Sequence, residues 1–150
     1  MTAIEAFPTV HSVSQLKLIE LPCYVRDDGK LIALETDKQA PFAIARVFSV
    51  KAALGARRGM HAHKRCAQFM LCPHGAIDII CDDGTERKLF ALDRFHIGLF
   101  VPPSIWAEEV SRVEGSVLVV LCDRLYEEDD YIRDYGTFIS LRGVADHEVR

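Results

Sequence analysis

The residue types best placed to do chemistry in this chain are His61 and His63, within Gly55-Ala56-Arg57-Arg58-Gly59-Met60-His61-Ala62-His63-Lys64. Histidines at i and i+2 of an extended strand present both rings on one face. Imidazole titrates near neutral pH, so two of them side by side in a poorly hydrated pocket can take a proton and return it. At a loop end the same pair is only a polar surface feature. Arg46, in the apolar run before the pair, is the first candidate for a substrate-facing cation, the other reading being a surface arginine. Arg58 and Lys64 flank the histidines, where they suit a diphosphate or simply face solvent. Gln68 lies at an odd offset from His63, so strict alternation turns it from that face unless a bulge or turn brings it back. Trp106 offers either an apolar wall or a stacking surface for a ligand.

Such groups need a scaffold that holds them around one concavity. Short apolar-rich runs at 17–20, 31–35, 42–50, 68–72, 76–81, 87–92, 97–101 and 116–122 read as strands. They are broken by turn signals at Asp27-Asp28-Gly29, Pro73-His74-Gly75 and Asp82-Asp83-Gly84. Close strand spacing of this kind marks a sandwich or barrel, and Asp-Gly supplies the positive φ angles of a tight hairpin. The tail 127–139 reads as a short helix. Without an internal repeat or linker, residues 1–150 form a single domain, an all-β barrel whose mouth can hold one small ligand. Exposed strand edges favour a homodimer.

Composition bounds the function further. Of the 150 residues, 49% are hydrophobic and 27% charged, which is ordinary globular usage. A net charge of −4 offers no general basic face, so nucleic acid is not an expected partner. No run is long enough to span a membrane, and the N-terminus lacks the pattern of a signal peptide. Cys23, Cys66, Cys72, Cys81 and Cys122 are odd in number and lack a C-x-x-C pair, so they read as reduced thiols of a cytoplasmic protein.

From Gly55 the spacing G-x5-H-x-H-x4-Q-x6-G, ending at Gly75, resembles the first cupin motif, with Gln68 where that motif carries glutamate. The second cupin motif falls on Pro102-Pro103-Ser104-Ile105-Trp106-Ala107, with Ala107 where it ends in histidine. A cupin metal centre uses three histidines and a glutamate. Here His61 and His63 alone match, fewer than the three protein ligands an open catalytic metal site needs, so no metal is expected.

A longer ordered set resembles the sugar-nucleotide 3,4-ketoisomerases of WxcM-like type, from about Asp28 to Phe138. It comprises Pro41-Phe42-x-Ile44-x-Arg46-Val47, Arg58-Gly59-x-His61-Ala62-His63-Lys64, Gln68, Asp82-Asp83-Gly84, Gly98-Leu99, Val101-Pro102-Pro103 and Trp106. It closes with Tyr126-x4-Tyr131-Ile132-Arg133-Asp134-Tyr135. The resemblance implies a cupin fold, the double-stranded β-helix or jelly-roll barrel, with a short C-terminal helix. It implies a dTDP-4-keto-6-deoxyhexose substrate in deoxysugar and O-antigen biosynthesis, whose carbonyl moves from C4 to C3 through an enediolate, without a cofactor. His61 and His63 are then the catalytic pair, with Arg46, Arg58, Lys64, Gln68 and Trp106 as substrate-binding residues. Three positions depart from the family: Asp28 where arginine is common (Arg26 is close by), Phe48-Ser49 where a tyrosine is usual, and Ala107. They make the lumen less polar, and they leave a non-catalytic sugar-nucleotide binder, or an epimerase on the same substrate class, as the alternatives.

Overall fold

A computed structural model describes residues 12–147, of which the strands alternate inward and outward side chains as the short apolar runs require. In chain order they are β1 (Leu18–Glu20), β2 (Cys23–Arg26), β3 (Gly29–Ile32), β4 (Arg46–Ala52), β5 (Arg57–His63) and β6 (Gln68–His74). Then follow β7 (Ile77–Asp82), β8 (Arg87–Leu92), β9 (Ile97–Val101), β10 (Trp106–Ser111), β11 (Ser116–Cys122) and the two-residue β12 (Tyr131–Ile132). The helix α1 (Tyr135–His147) comes last.

All the pairings between these strands are antiparallel. One five-stranded sheet runs β1-β9-β6-β11-β4, the other β12-β5-β10-β7-β8, and β2-β3 form a separate hairpin. From β4 onward the chain passes back and forth between the two large sheets, except at the β7–β8 hairpin, the jelly-roll arrangement. Met70, Cys72, Ile79, Leu99, Leu118 and Val120 fill the space between the sheets. β6 is apolar on both faces because its other side, at Phe69 and Leu71, is covered by Leu21, Ala40 and Phe42 from the N-terminal segments. The Asp82-Asp83-Gly84 turn joins β7 to β8 as the sequence indicates, with Gly84 at φ 93°. Asp83 fastens that turn through bonds from the amides of Thr85 and Glu86, and it also receives the amide of Val13.

The tail departs from expectation. Residues 127–139 do not form one helix: a 3-10 turn at Glu128–Asp130 leads into β12, and α1 starts only at Tyr135. Tyr131 and Ile132 pair with His63 and Ala62, and that tertiary pairing outweighs local helical preference. Asp134 then begins the helix, its carboxylate accepting from the amide and hydroxyl of Thr137, both at 2.8 Å. The described helices include none long and apolar enough to cross a membrane.

Candidate active site

The site is organised by an irregularity in β5. Opposite β10, Ala107 pairs with His61 but Glu108 pairs with Gly59, so Met60 is an extra residue. Gly59 and Met60 take φ of 76° and 55°, the left-handed backbone of a bulge. The bulge changes the alternation. His61 and Arg58, an odd number of residues apart, now share the face of Ala107 and Glu109, toward the lumen. Glycine is required at 59, because a Cβ there would collide with the Glu109 carboxylate and lie 3.0 Å from the carbonyl oxygen of Ala107.

The two imidazoles stand edge to face, with ring centroids 5.0 Å apart. Tyr131 closes over both, its centroid 5.0 Å from His61 and 4.4 Å from His63. His61 Nδ1 bonds the carbonyl oxygen of Gly59 at 3.0 Å, which places the proton on Nδ1 and leaves Nε2 as an acceptor. Burial, and next the neighbouring His63, push its pKa down to about 4, so it is neutral at pH 7. His63, 5% exposed, meets Asp130 Oδ2 through Nδ1 at 2.8 Å, and its Nε2 is buried with no partner. Burial pulls His63 below its ordinary value, against the opposing pull of the Asp130 carboxylate. Burial by itself would raise Asp130, yet the bonds from His63 and from the Arg65 amide at 2.6 Å hold its carboxyl below the usual range.

A cavity of about 270 Å³ opens onto this constellation. Phe48, Val50, Ala52, Ile77 and Leu118 make its apolar part, and Arg58, His61, Gln68, Glu109, Tyr131 and Arg133 its polar part. Gln68 reaches the lumen because the chain turns between β5 and β6, so alternation counted from His63 does not carry across. Its Nε2 lies 3.7 Å from Cys122 Sγ. Arg46 continues the inward row of Phe48 and Val50 beside the cavity, with Nη2 donating to Cys122 Sγ at 3.5 Å and its guanidinium over the rings of Phe48 and Tyr126. Hydrogen bonds to Tyr131 and Cys122 outweigh the cost of burial and hold its charge on.

Two of the sequence candidates fall elsewhere. Trp106 faces away from the lumen, packed with Ala62, Ile132 and Phe138 under α1. It is an odd number of residues from the inward Glu109, and the helix supplies the apolar cover for its ring. Lys64 is exposed and stands outside the cavity lining, its amide bonding the carbonyl of Asp130 at 2.9 Å. Conversely, Glu109, Asp130, Tyr131 and Arg133 reach the histidines or the cavity although spacing along the chain does not mark them. Tyr131 and Arg133 belong to the tail motif, the one sequence signal for them, but their placement depends on the β12–β5 pairing.

Of the four cupin ligand positions, Gln68 offers a neutral amide and Ala107 no donor at all. Among the described residues one other cluster could take an ion: His63, Cys66 and Asp130, with ligand atoms within 4.8 Å of one another. Two of its three members already bond each other directly.

Two antiparallel sheets closed into a jelly roll, with an HxH pair at the mouth of the lumen, define a cupin barrel. The family model described as FdtA, WxcM-like, C-terminal, matches residues 14–143, and the chain belongs to this family. It is 37% identical over 123 residues to the TDP-4-oxo-6-deoxy-alpha-D-glucose-3,4-oxoisomerase of Aneurinibacillus thermoaerophilus, covering 81% of this chain and 88% of that protein. A 3,4-ketoisomerase from Helicobacter canadensis superposes with a TM-score of 0.83 at 34% identity, covering 86% of this chain and 98% of the other. A sugar 3,4-ketoisomerase from Thermoanaerobacterium thermosaccharolyticum, solved in complex with TDP, gives 0.85 at 30% identity, covering 89% and 98%.

Proposed function

We propose that this protein is a sugar-nucleotide 3,4-ketoisomerase that moves the carbonyl of a dTDP-4-keto-6-deoxyhexose from C4 to C3. The observation that carries the reading is the paired imidazoles, each tied through Nδ1 to a fixed acceptor so that its Nε2 is left to act. The proton at C3 is acidic because it lies alpha to the ketone. We assign its removal to His61, the imidazole that lines the cavity. Its low basicity in the desolvated site is offset as the enediolate charge develops next to it. His63, oriented by Asp130, stands edge to face with His61 and tunes its basicity for the transfer between carbons, and Gln68 and Tyr131 add donors toward the enediolate. Arg58, at the cavity wall, suits the diphosphate, with Arg46 beside it.

Incubation with dTDP-4-keto-6-deoxyglucose in heavy water tests this. A 3-keto product with deuterium incorporated is expected, and retained activity in the His61→Ala, His63→Ala double variant would sink the reading. We further propose a homodimer, in support of which Tyr24, Val25 and Leu31 are exposed on the β2–β3 hairpin. A reducing, cytoplasmic location is consistent with five free cysteines, four of them buried.

A further inference from the structure

Among the described residues, Glu109 is the single carboxylate on the cavity wall. It sits on β10 directly opposite Arg58, two residues along β10 from Ala107, which pairs with His61. The bare Cα of Gly59 admits its Oε2 over β5, while the carbonyl of the same glycine holds His61. One glycine therefore sets both groups against the lumen. Burial pushes the Glu109 carboxyl up to about 7, against the pull of Arg58, so near neutrality it exists in both forms. Glu108 on its own strand points the other way, to Arg57 and Arg87, and its like charge adds a smaller upward push.

A 3,4-shift needs two proton movements: one between carbons, which the histidines serve, and one between oxygens. We propose that Glu109 is a further catalytic residue, the acid and base that carries the hydroxyl proton between the two substrate oxygens; this rests on the isomerase reading above. The step balances. His61 takes the C3 proton, the freed pair becomes the C3=C4 bond, and O4 takes the carbonyl pair with a proton from Glu109. The Glu109 carboxylate then accepts the O3 proton, the O3–H pair closes the carbonyl at C3, and the C3=C4 pair takes the proton from His61 at C4. Glu109 ends protonated and His61 neutral.

The test compares the wild type with Glu109→Gln and Glu109→Asp in heavy water, following C3-proton exchange and product formation separately by NMR. Glu109→Gln is expected to slow product formation about a hundredfold. Exchange at C3, which His61 performs, should fall much less, so that the ratio of exchange to product rises at least about tenfold. Glu109→Asp should recover part of the rate. Equal loss of both readouts, no loss in either, or an aspartate variant no faster than the glutamine one overturns the assignment. A wild type that neither exchanges nor isomerises identifies the failure as that of the isomerase reading, and this role falls with it.

Discussion

His63 Nδ1 and Asp130 Oδ2 lie 2.8 Å apart, joining strand β5 to a 3-10 turn of the tail. The same carboxylate receives the Arg65 amide, and the Asp130 carbonyl receives the Lys64 amide. One residue therefore orients an imidazole and ends β5. Replacing Asp130 with asparagine keeps its shape but removes the anion that favours the Nδ1 proton. The expected result is a loss in kcat of roughly a hundredfold with KM little changed. A fall in KM-dependent binding alone would place Asp130 in substrate recognition instead.

The acid limb of stability should carry the signature of His61. Its pKa is about 4 folded against 6.5 unfolded, so between these values the unfolded chain binds more protons. The contribution is complete above 6.5 and is lost as pH falls toward 4. Glu109 has the opposite sign: at about 7 folded against 4.5 unfolded, its contribution is complete below 4.5 and is lost as pH rises through 7. The stability of the wild type relative to Glu109→Gln should therefore decline by up to about 3 kcal/mol from pH 4.5 to 8. Urea midpoints at the two pH values give the comparison, and a constant difference would show that Glu109 ionises normally.

Gly59→Ala places a methyl group where the Glu109 carboxylate lies, on a backbone at φ 76°. Strain and displacement together should cost about 2 kcal/mol or more, seen as a lower denaturation midpoint. Activity of the folded fraction should fall as well, because Gly59 also holds His61. Alanine tolerated on both counts would mean that the bulge does not set the site.

Cys122 Sγ accepts hydrogen bonds in a fully buried position. Cys66, Arg46 and Gln68, which all face this sulfur, push the thiol down from its ordinary value, against burial. In its ionised form the sulfur anchors Arg46. Cys122→Ala should remove one thiolate from the ultraviolet spectrum at pH 8 and raise KM about tenfold, on the scale of a charged hydrogen bond of about 1.5 kcal/mol. An unchanged spectrum would show the thiol to be protonated and the anchor neutral.

Local patterns made much of this protein readable. The alternating apolar runs, the Asp82-Asp83-Gly84 turn and the His61-Ala62-His63 pair depend on neighbours along the chain, and strand geometry turns their spacing directly into faces. The sequence by itself therefore determined the barrel class, the histidine pair and, through ordered motifs, the family.

The tertiary structure decided which other groups join the pair. Arg58 turns inward, opposite Glu109 of β10, because one extra residue, Met60, shifts the register of β5 against β10. Trp106 turns outward because α1 lies over it, and Asp130 and Tyr131 reach the histidines because the tail pairs as a strand where helix was expected. Register and cover are set by contacts between segments far apart in the chain, and no spacing within one segment encodes them.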